Sequence, residues 1–310
     1  MTAAQESADR DLAEAVARAL TGDARLPSAS VGALIDSFGL DGPDPILLAA
    51  LPHAVALADP PISGFRVGAV GLEVESGDVL LGWNLEFPGA ELGRTVHAEG
   101  AVAVRSFLRG TSISTLAVRE ARPCAFCRQI LAEFAWGPGL RVIDPLGQTR
   151  TLEDLYPWPF TPDGLGVTPA GPTTTAPLPT VDAGGAASLA WAELGLRDDP
   201  AVPAEVVSAL LAAGRSAHAP YSACPAAVAL RCRDGTLIAG RTLESVAFDP
   251  TMGPLQVALV ALRASGRGYA DIDAAWLASF AGGAVDDVGP TRHLLSAIAP
   301  DVRLIATTWT

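Results

Sequence analysis

The N-terminal part of the chain has the hydrophobic pattern of amphipathic helices. Apolar residues recur at helical spacing over residues 12–20, among acids and arginines, and Gly22 follows them. Two further apolar stretches, at residues 31–38 and 46–58, predict two more helices. We therefore predict that residues 1–45 form an N-terminal helical cap without chemistry of its own, and that the third helix begins the next domain.

The pattern changes near residue 65, where short apolar runs bounded by turn residues begin to alternate with helical stretches. The predicted elements are strands at 65–74 and 79–84, a helix at 97–108, a strand at 113–118, a helix at 124–134 and a strand at 140–143. This alternation predicts an α/β fold, an α/β/α layer sandwich with a mixed sheet whose later strands are mostly parallel. We assign residues 46–156 to this domain.

A proline-rich segment separates this domain from the rest of the chain. Seven prolines lie between residues 157 and 180, and the same stretch carries almost no charge. Such a composition predicts an extended, semi-rigid connector, which we place at residues 157–199. Trp158 and Phe160 are too apolar for a free linker, so we expect them to dock on a folded domain.

Residues 200–310 repeat the pattern of the first domain. PISGFRVGAV begins at Pro61 and PYSACPAAVAL begins at Pro220, and each is followed by a turn and an apolar strand. Each copy then has a Gly-x-x-Leu-Glu signature, which ends at Glu86 in the first copy and at Glu244 in the second. The chain is therefore predicted to contain a duplicated fold.

The composition limits the class of protein. The chain has 310 residues, of which 49% are hydrophobic and 18% are charged, so we expect about two globular domains rather than a disordered chain. The formal net charge of -13 repels phosphate backbones, and no run of basic residues offsets it. This balance argues against nucleic acid as a partner.

The cysteine content and the hydropathy favour the cytoplasm. Four cysteines in a chain of this length do not make a disulfide framework. The N-terminus lacks a secretory signal, and the most apolar run, at residues 46–58, is interrupted by Pro52 and His53 and is too short to span a bilayer. We therefore expect a cytoplasmic protein without a membrane partner.

The strongest chemical signal is a histidine and a pair of cysteines in the first domain. His97, Cys124 and Cys127 supply three donors that could bind zinc and leave its fourth position open to water, as in catalytic zinc sites. Glu99 lies beside the histidine and could exchange protons with that water. Alternatively, the two cysteines are small buried hydrophobes, but the histidine, the acid and Pro123 would then be coincidences.

The spacing of these residues is typical of helix starts. Cys124 and Cys127 are three apart, so they share a face of a helix, and Pro123 marks its beginning, where the backbone amides favour thiolate. His97 and Glu99 are two apart, which within a helix separates them by roughly 200°, so they can converge only at a helix entrance. An acid that moves protons beside an activated water fits hydrolytic removal of ammonia from an amidine-like carbon.

The second copy is predicted to lack this chemistry. His97 follows the signature glutamate of the first copy by eleven positions, and the same step in the second copy reaches Leu255. By this count Val257 stands in the place of Glu99, and AAWLASFAGG occupies the region where a second Cys-x-x-Cys pair would be expected. We therefore predict that residues 200–310 are a non-catalytic copy.

HAE at residues 97–99 and PCAFCRQ at residues 123–129 resemble the signature of zinc deaminases, and the chain is similar to the cytidine deaminase family. The resemblance covers residues 46–310 and is to the two-domain, dimeric bacterial type, in which a helical cap and a catalytic domain precede a degenerate copy. It implies a cytidine-deaminase-like fold, one zinc ion per chain and a homodimer.

The reaction that the resemblance implies is hydrolytic deamination of cytidine and 2'-deoxycytidine to uridine and 2'-deoxyuridine with release of ammonia, in pyrimidine salvage. The implied zinc ligands are His97, Cys124 and Cys127, and the implied proton shuttle is Glu99. Two alternatives stay open: a deaminase of a modified cytosine nucleoside, such as a nucleoside antibiotic, and a zinc-stabilised scaffold without catalysis. The acid argues against the scaffold, because structural zinc needs none.

The resemblance also implies a set of substrate contacts. Asn84 and Glu86 would hydrogen-bond the ribose hydroxyl, and Phe65 would pack against the pyrimidine. Phe160 and Phe248 would close the pocket, the latter from the partner subunit. From the residues alone, Asn84 and Glu86 could instead form a polar strand end that faces solvent, and we expect at least one of the three phenylalanines to be an ordinary core residue.

Overall fold

A computed structural model describes residues 3–119, 122–171, 191, 194–200 and 202–310. Within it the chain divides into two units. The first unit combines Met1–Glu86 with Thr95–Pro159, and the second combines Phe87–Arg94 with Phe160–Thr310. In the described part of the chain, no helix has both the length and the hydropathy needed to cross a bilayer.

The first unit is a six-stranded sheet with helices packed on it. Its helices are α1 (Ala3–Ala19), α2 (Ser28–Phe38), α3 (Asp44–Leu57), α4 (Ala98–Arg109), α5 (Ala125–Ala132) and α6 (Leu152–Leu155). Its strands are β1 (Arg25–Leu26), β2 (Gly68–Glu73), β3 (Val79–Trp83), β4 (Ile113–Arg119), β5 (Arg141–Ile143) and β6 (Thr149–Thr151). The strand order is β1-β3-β2-β4-β5-β6.

This sheet is mixed, as predicted, but it is less parallel than the sequence pattern indicates. β4 and β5 run parallel, whereas the pairs on either side of them are antiparallel. The difference comes from β6, a three-residue strand that the sequence pattern does not reveal and that returns antiparallel to β5. A strand this short carries too few residues for an alternating pattern to be recognised.

Two helices pack on opposite faces of the sheet. Gly68 of β2 lies against Val55 of α3, whereas Gly71, three residues along the same strand, lies against Val102 of α4. Because successive residues of a strand point to alternate faces, these contacts place α3 and α4 on opposite sides. The first unit therefore has the predicted α/β/α layers.

Gly82 of β3 permits the close approach of α4 to the sheet. A Cβ atom at this position would overlap the carbonyl oxygen of Ala98 and the side chain of Val102. We expect Gly82→Ala to displace the start of α4 and to lower the free energy of unfolding by about 1–3 kcal/mol, the usual cost of overpacking.

Gly139→Ala is the matched control, because a Cβ atom at Gly139 would meet nothing within 4 Å. Its free energy of unfolding is expected to stay within about 0.5 kcal/mol of the wild-type value. Denaturant melts of both variants measure the difference. Equal stability of the two variants would contradict the tight helix-to-strand contact.

The second unit repeats this topology with fewer strands. It contains helices α7 (Ala204–Arg215), α8 (Pro254–Ala264) and α9 (Val288–Ile298), and strands β7 (Ala227–Cys232), β8 (Leu237–Arg241), β9 (Ile272–Ser279) and β10 (Leu304–Thr308). β7 pairs with β8 and β9 as β2 pairs with β3 and β4, and the register shift at Glu73 recurs at Cys232. β9 and β10 are parallel, like β4 and β5. The predicted duplication is confirmed.

The loops that lead into the equivalent helices α4 and α8 differ in length. Leu85 forms a bridge with Val96 ahead of α4, and Leu243 forms the matching bridge with Met252 ahead of α8. The two bridged residues are eleven apart in the first unit and nine apart in the second. The second loop is therefore two residues shorter.

This deletion corrects the predicted match between the copies. His97 directly precedes α4 and Gly253 directly precedes α8, so Gly253 stands in the place of His97 and Leu255 in the place of Glu99. The prediction of Leu255 and Val257 for these places is wrong, because a fixed count along the sequence cannot detect a shorter loop. The second copy still lacks both the histidine and the acid.

The counterpart of the thiol pair also lies elsewhere than the sequence indicates. AAWLASFAGG falls largely in β9, which matches β4. Cys124 directly precedes α5, and Asp287 directly precedes α9. The start of α9 is therefore the equivalent place, and Pro290 stands there at the spacing of Cys127.

The predicted connector at residues 157–199 lies partly outside the described residues, at 172–190, 192 and 193. Trp158, near its start, is 93% exposed, so the expectation that this residue docks on a domain is wrong. Phe160 is partly exposed, and its ring lies over Gly164. The extended form of the connector and the domain boundaries stay predictions.

Candidate metal centre

The four residues singled out by the motif lie at the starts of two helices. His97 directly precedes α4 with extended backbone (φ -82°, ψ 155°), and Glu99 lies in the first turn of that helix. Cys124 directly precedes α5 with φ -72° and ψ 175°, and Cys127 lies in its first turn. The structure therefore places His97 at a helix entrance, where the sequence spacing requires it.

Three donor atoms form a triangle small enough for one metal ion. His97 Nδ1 lies 3.2 Å from Cys127 Sγ and 3.5 Å from Cys124 Sγ, and the two sulfurs are 3.5 Å apart. Tetrahedral zinc, with Zn–S bonds of about 2.3 Å and Zn–N bonds of about 2.0 Å, keeps its donors roughly 3.5–3.8 Å apart. The donor set and its spacing therefore fit zinc.

The site is open on one side. Cys127 is buried, Cys124 is half-buried and His97 is exposed. In the parts of the chain that the structure describes, no other cluster of histidine, cysteine and carboxylate groups brings three donors together in this way. Three protein donors with one accessible side leave room for a fourth ligand from solvent or substrate.

The pKa values of the two thiols are shifted in opposite directions. Hydrogen bonds from the Cys127 thiol and from His97 lower the pKa of Cys124 to about 3. The same interaction, together with burial, raises the pKa of Cys127 well above its ordinary value. Contact with Cys124 also raises the pKa of His97. A bound metal would take the place of these protons, because its ligands must be deprotonated.

Glu99 is a buried acid next to the donors. Its side chain is 3% exposed, and burial raises the pKa of its carboxyl group above the ordinary value. The charge of His97 and a hydrogen bond with Cys127 act in the opposite direction. The carboxyl group can therefore hold a proton inside the site, at a position where solvent does not compete for it.

Asn84 and Glu86 are buried, so the alternative of a polar strand end that faces solvent is wrong. Both side chains hold the loop between α3 and β2. Asn84 Oδ1 accepts from the backbone N–H of Val67 at 2.9 Å, and Asn84 Nδ2 donates to the carbonyl oxygen of Phe65 at 2.9 Å. Asn84 therefore fixes the backbone on both sides of Arg66.

Glu86 binds the same loop at its other end. Its Oε2 accepts from the backbone N–H groups of Ile62 and Ser63 at 2.9 and 2.8 Å, and its Oε1 accepts from Ser63 Oγ at 2.6 Å. The Ser63 hydroxyl oxygen in turn accepts from the N–H of Phe65 at 3.0 Å. These hydrogen bonds set the position of Phe65. Burial raises the pKa of Glu86, but the hydrogen bonds from Ser63 and Ile62 outweigh it and hold the pKa below its ordinary value.

The second unit has the same loop anchor. Glu244 Oε2 accepts from the N–H groups of Tyr221 and Ser222, and Glu244 Oε1 accepts from the Ser222 hydroxyl. Ser222 also accepts from the N–H of Cys224, as Ser63 does from Phe65. A copy without the histidine and the acid thus keeps this glutamate. Sequence reasoning found both glutamates through the repeat but missed Ser63, which the same repeat could have revealed.

The three candidate phenylalanines are all substantially exposed. The exposed fractions of Phe65, Phe160 and Phe248 are 53%, 46% and 65%. The expectation that at least one is an ordinary core residue is therefore wrong. Phe65 belongs to the first unit, whereas Phe160 and Phe248 belong to the second. Phe248 also has a φ of 64°, a strained backbone conformation for a bulky residue.

An α/β/α sandwich that presents a His-Cys-Cys donor set and a buried acid at two helix starts is a zinc-dependent deaminase domain. Residues 46–137 and residues 152–292 each match a family model described as the cytidine and deoxycytidylate deaminase zinc-binding region. The chain belongs to the cytidine deaminase family, and the second match extends over most of the copy that lacks the donors.

Relatives along most of the chain support this assignment. A cytidine deaminase of Shewanella amazonensis is 40% identical over 254 residues, which cover 81% of this chain and 78% of the relative. A cytidine deaminase of Serratia proteamaculans is 34% identical over 275 residues, 89% of this chain and 86% of the relative. Over a much shorter part of the chain, the crystal structure of cytidine deaminase from Mycobacterium tuberculosis is 33% identical. This match covers 37% of this chain and 94% of the crystallised chain, with a TM-score of 0.33, and the assignment does not depend on it.

Proposed function

We propose that this protein deaminates cytidine and 2'-deoxycytidine hydrolytically, to uridine and 2'-deoxyuridine plus ammonia, and so serves pyrimidine salvage. The observation that carries the proposal is the triangle of His97, Cys124 and Cys127 with Glu99 beside it. The relatives named cytidine deaminase support cytidine as a substrate. His97 Nδ1 and the two cysteine sulfurs would hold the zinc ion.

When bound, zinc supplies a Lewis acid that makes a coordinated water acidic near neutral pH. Glu99 then takes a proton from the attacking water and delivers it to the ring nitrogen next to the amino-bearing carbon. The water oxygen bonds to that carbon, and Glu99 next moves the proton of the new hydroxyl group to the amino group. The carbon–nitrogen bond then breaks, ammonia leaves, and the carbonyl group of the product forms. Burial suits this role, because it raises the pKa of Glu99 towards the working pH.

The loop anchors orient the substrate side of the pocket. Phe65, exposed and held by Asn84 and Ser63, would pack against the pyrimidine ring. We propose that Asn84 and Glu86 bind a ribose hydroxyl in addition to holding the loop that carries Phe65. Substrate binding at this place would therefore depend on the integrity of the anchor.

A nucleoside panel tests the proposed function. Zinc-loaded protein is expected to convert both cytidine and 2'-deoxycytidine, followed by the loss of cytosine absorbance, with zinc content measured on the same sample. The absence of turnover of either nucleoside would overturn the proposal. Faster turnover of a modified cytosine nucleoside, such as a nucleoside antibiotic, would instead favour that substrate class.

Ser63→Ala is expected to raise KM for cytidine by about tenfold and to leave the zinc content unchanged. The variant removes one hydrogen bond to a charged carboxylate and frees the loop that carries Phe65. Ser208→Ala removes an exposed hydrogen bond within α7 of the second unit and is the control: its KM should stay at the wild-type value. If both variants change KM equally, the effect is general destabilisation and not loop position.

We further propose that the protein is a cytoplasmic homodimer in which Phe248 completes the active site of the partner subunit. Its strained, exposed position supports this role, because such a conformation persists where a function requires it. The four free cysteines suit a reducing compartment. Phe160 is proposed as a second aromatic residue that closes the pocket.

Sedimentation velocity and a purified heterodimer test this arrangement. A heterodimer of one Glu99→Ala chain and one Phe248→Ala chain is expected to recover about half of the wild-type rate, because one of its two sites has both residues intact. If Phe248 acts within its own chain, the heterodimer recovers only half of the rate of the Phe248→Ala homodimer. A monomer in sedimentation would also overturn the proposal.

A further inference from the structure

The second unit contains a cavity of about 610 Å³. It lies where α8 and α9 begin, the two helix starts that correspond to those of the metal centre. Leu255, which stands in the place of Glu99, lines it together with Asp287, which stands in the place of Cys124. Cavities of roughly 300–1,000 Å³ with a few polar groups are typical of small-molecule sites.

The walls of this cavity combine apolar surface with an excess of acids. Pro254, Leu255 and Leu294 supply apolar side chains. The acidic residues in the lining are Glu91, Glu244, Asp249, Asp286 and Asp287, and the one cationic residue in the lining is Arg94. A cavity of this composition attracts cations and repels phosphate groups.

One of these acids has an acceptor atom that no described residue satisfies. Asp287 Oδ2 is buried and accepts no hydrogen bond within the described residues. Its neighbour Asp286 does have hydrogen-bond partners, because its Oδ1 accepts from the backbone N–H groups of Val288 and Gly289. Glu244 is used by the loop anchor. Asp287 thus has a buried carboxylate oxygen without a partner among the described residues, and the residue is part of the cavity wall.

Burial and the charges around Asp287 shift the pKa of its carboxyl group. Burial raises the pKa of its carboxyl group to about 7, with further contributions from Glu244 and Asp286, while Arg94 acts in the opposite direction. These are the charged groups that face it from the loop after β8, from its own loop and from residues 92–94. A cationic hydrogen-bond donor next to Asp287 would stabilise its ionised form.

We propose that the cavity of the non-catalytic copy binds a small flat aromatic cation, of the amidinium or aminopyridinium type, with its N–H donors on Asp287 and its ring between Leu255 and Leu294. The loss of the donor set would thus have converted a catalytic pocket into a binding pocket. This proposal is argued from residues of the second unit, and the cavity wall includes Phe248, which is proposed above to complete the partner's active site. It does not depend on the substrate of the metal centre.

Benzamidine is the probe and benzamide is its neutral isostere. Titration calorimetry with the zinc-loaded full chain is expected to show saturable binding of benzamidine and at least tenfold weaker binding of benzamide. Between pH 6 and pH 8 the affinity for benzamidine should rise by about tenfold, because the ionised fraction of Asp287 rises through a pKa of about 7. Benzamidine itself stays cationic over this range.

Two variants test where the ligand binds. Asp287→Asn is expected to weaken benzamidine binding by at least tenfold and to abolish the pH dependence, whereas Asp273→Asn, which removes an exposed charge paired with Arg231, should leave both unchanged. Val285→Trp, at an exposed position of the lining, should block benzamidine and benzamide alike.

Three results would overturn the proposal. The first is the absence of saturable binding. The second is binding that is unaffected by both Asp287→Asn and Val285→Trp. The third is binding that cytidine displaces in the calorimeter, which would place the probe in the metal centre. Failure of the proposed deamination would leave these binding experiments interpretable, because none of them measures turnover.

Discussion

Glu99→Ala is expected to retain one zinc ion per chain and to lose cytidine deamination by a factor of at least about 10²–10⁴, the usual contribution of a general acid–base group. The donors His97, Cys124 and Cys127 contact one another without Glu99, so zinc binding should survive its removal. The proton transfers have no substitute, because Glu99 is buried and solvent cannot replace it. Metal analysis and uridine formation on one sample measure both properties.

Glu99→Gln refines this experiment. Burial raises the pKa of Glu99, so the native structure bears a cost for the charged form that a neutral amide avoids. We therefore expect an inactive variant whose Tm is equal to that of the wild type or higher. Such a result would mean that the catalytic acid lowers the stability of the native protein. Glu153→Gln, at an exposed position of α6, is the control and should keep full activity. Loss of zinc together with disruption of the fold in Glu99→Ala would instead favour a structural metal.

Cys127→Ala is expected to have the second large effect, with zinc falling from about one ion per chain to less than about a tenth and with deamination abolished. Cys127 Sγ lies within 3.5 Å of both other donor atoms, and its side chain is 3% exposed. A site with two protein donors holds zinc poorly, and the buried start of α5 loses its contact with α4. The Tm should therefore fall as well, which differential scanning calorimetry measures.

Cys232→Ala is the matched control for this prediction. Cys232 is a free cysteine that is buried as deeply as Cys127, but it lies in β7 of the second unit. The variant should lose some stability through the small cavity that it creates, while zinc content and activity stay at the wild-type level. A full zinc equivalent in Cys127→Ala would contradict the assignment of this thiol as a ligand.

The chemistry of the metal centre was readable from the sequence because its determinants are local. His97 and Glu99 are two residues apart and Cys124 and Cys127 are three apart, so helix geometry alone restricts how each pair can point. The layer arrangement was readable for a similar reason, since alternating periodicities report which face of each element is buried. The duplication followed from repeated segments such as those at Pro61 and Pro220.

Details that depend on contacts between distant segments could not be predicted from the sequence. The loop before α8 is two residues shorter than its counterpart, so counting assigned the wrong residues to the places of His97 and Glu99. Burial of a side chain depends on what packs over it, which is why all three candidate phenylalanines proved exposed. The partners of Glu86 lie more than twenty residues earlier, and nothing local in the sequence links them.

The motif, with its three donors and one acid, thus followed from residue types and short spacings, which the covalent chain and helix geometry control directly. Three-dimensional packing determined which ring nitrogen of His97 faces the thiols, how Ser63 and Glu86 hold the loop of Phe65, and that Asp287 meets a cavity in the second copy. Each of these depends on long-range packing and burial. Segments that are far apart in the sequence meet only in the folded chain, so the distances between them cannot be deduced from the sequence.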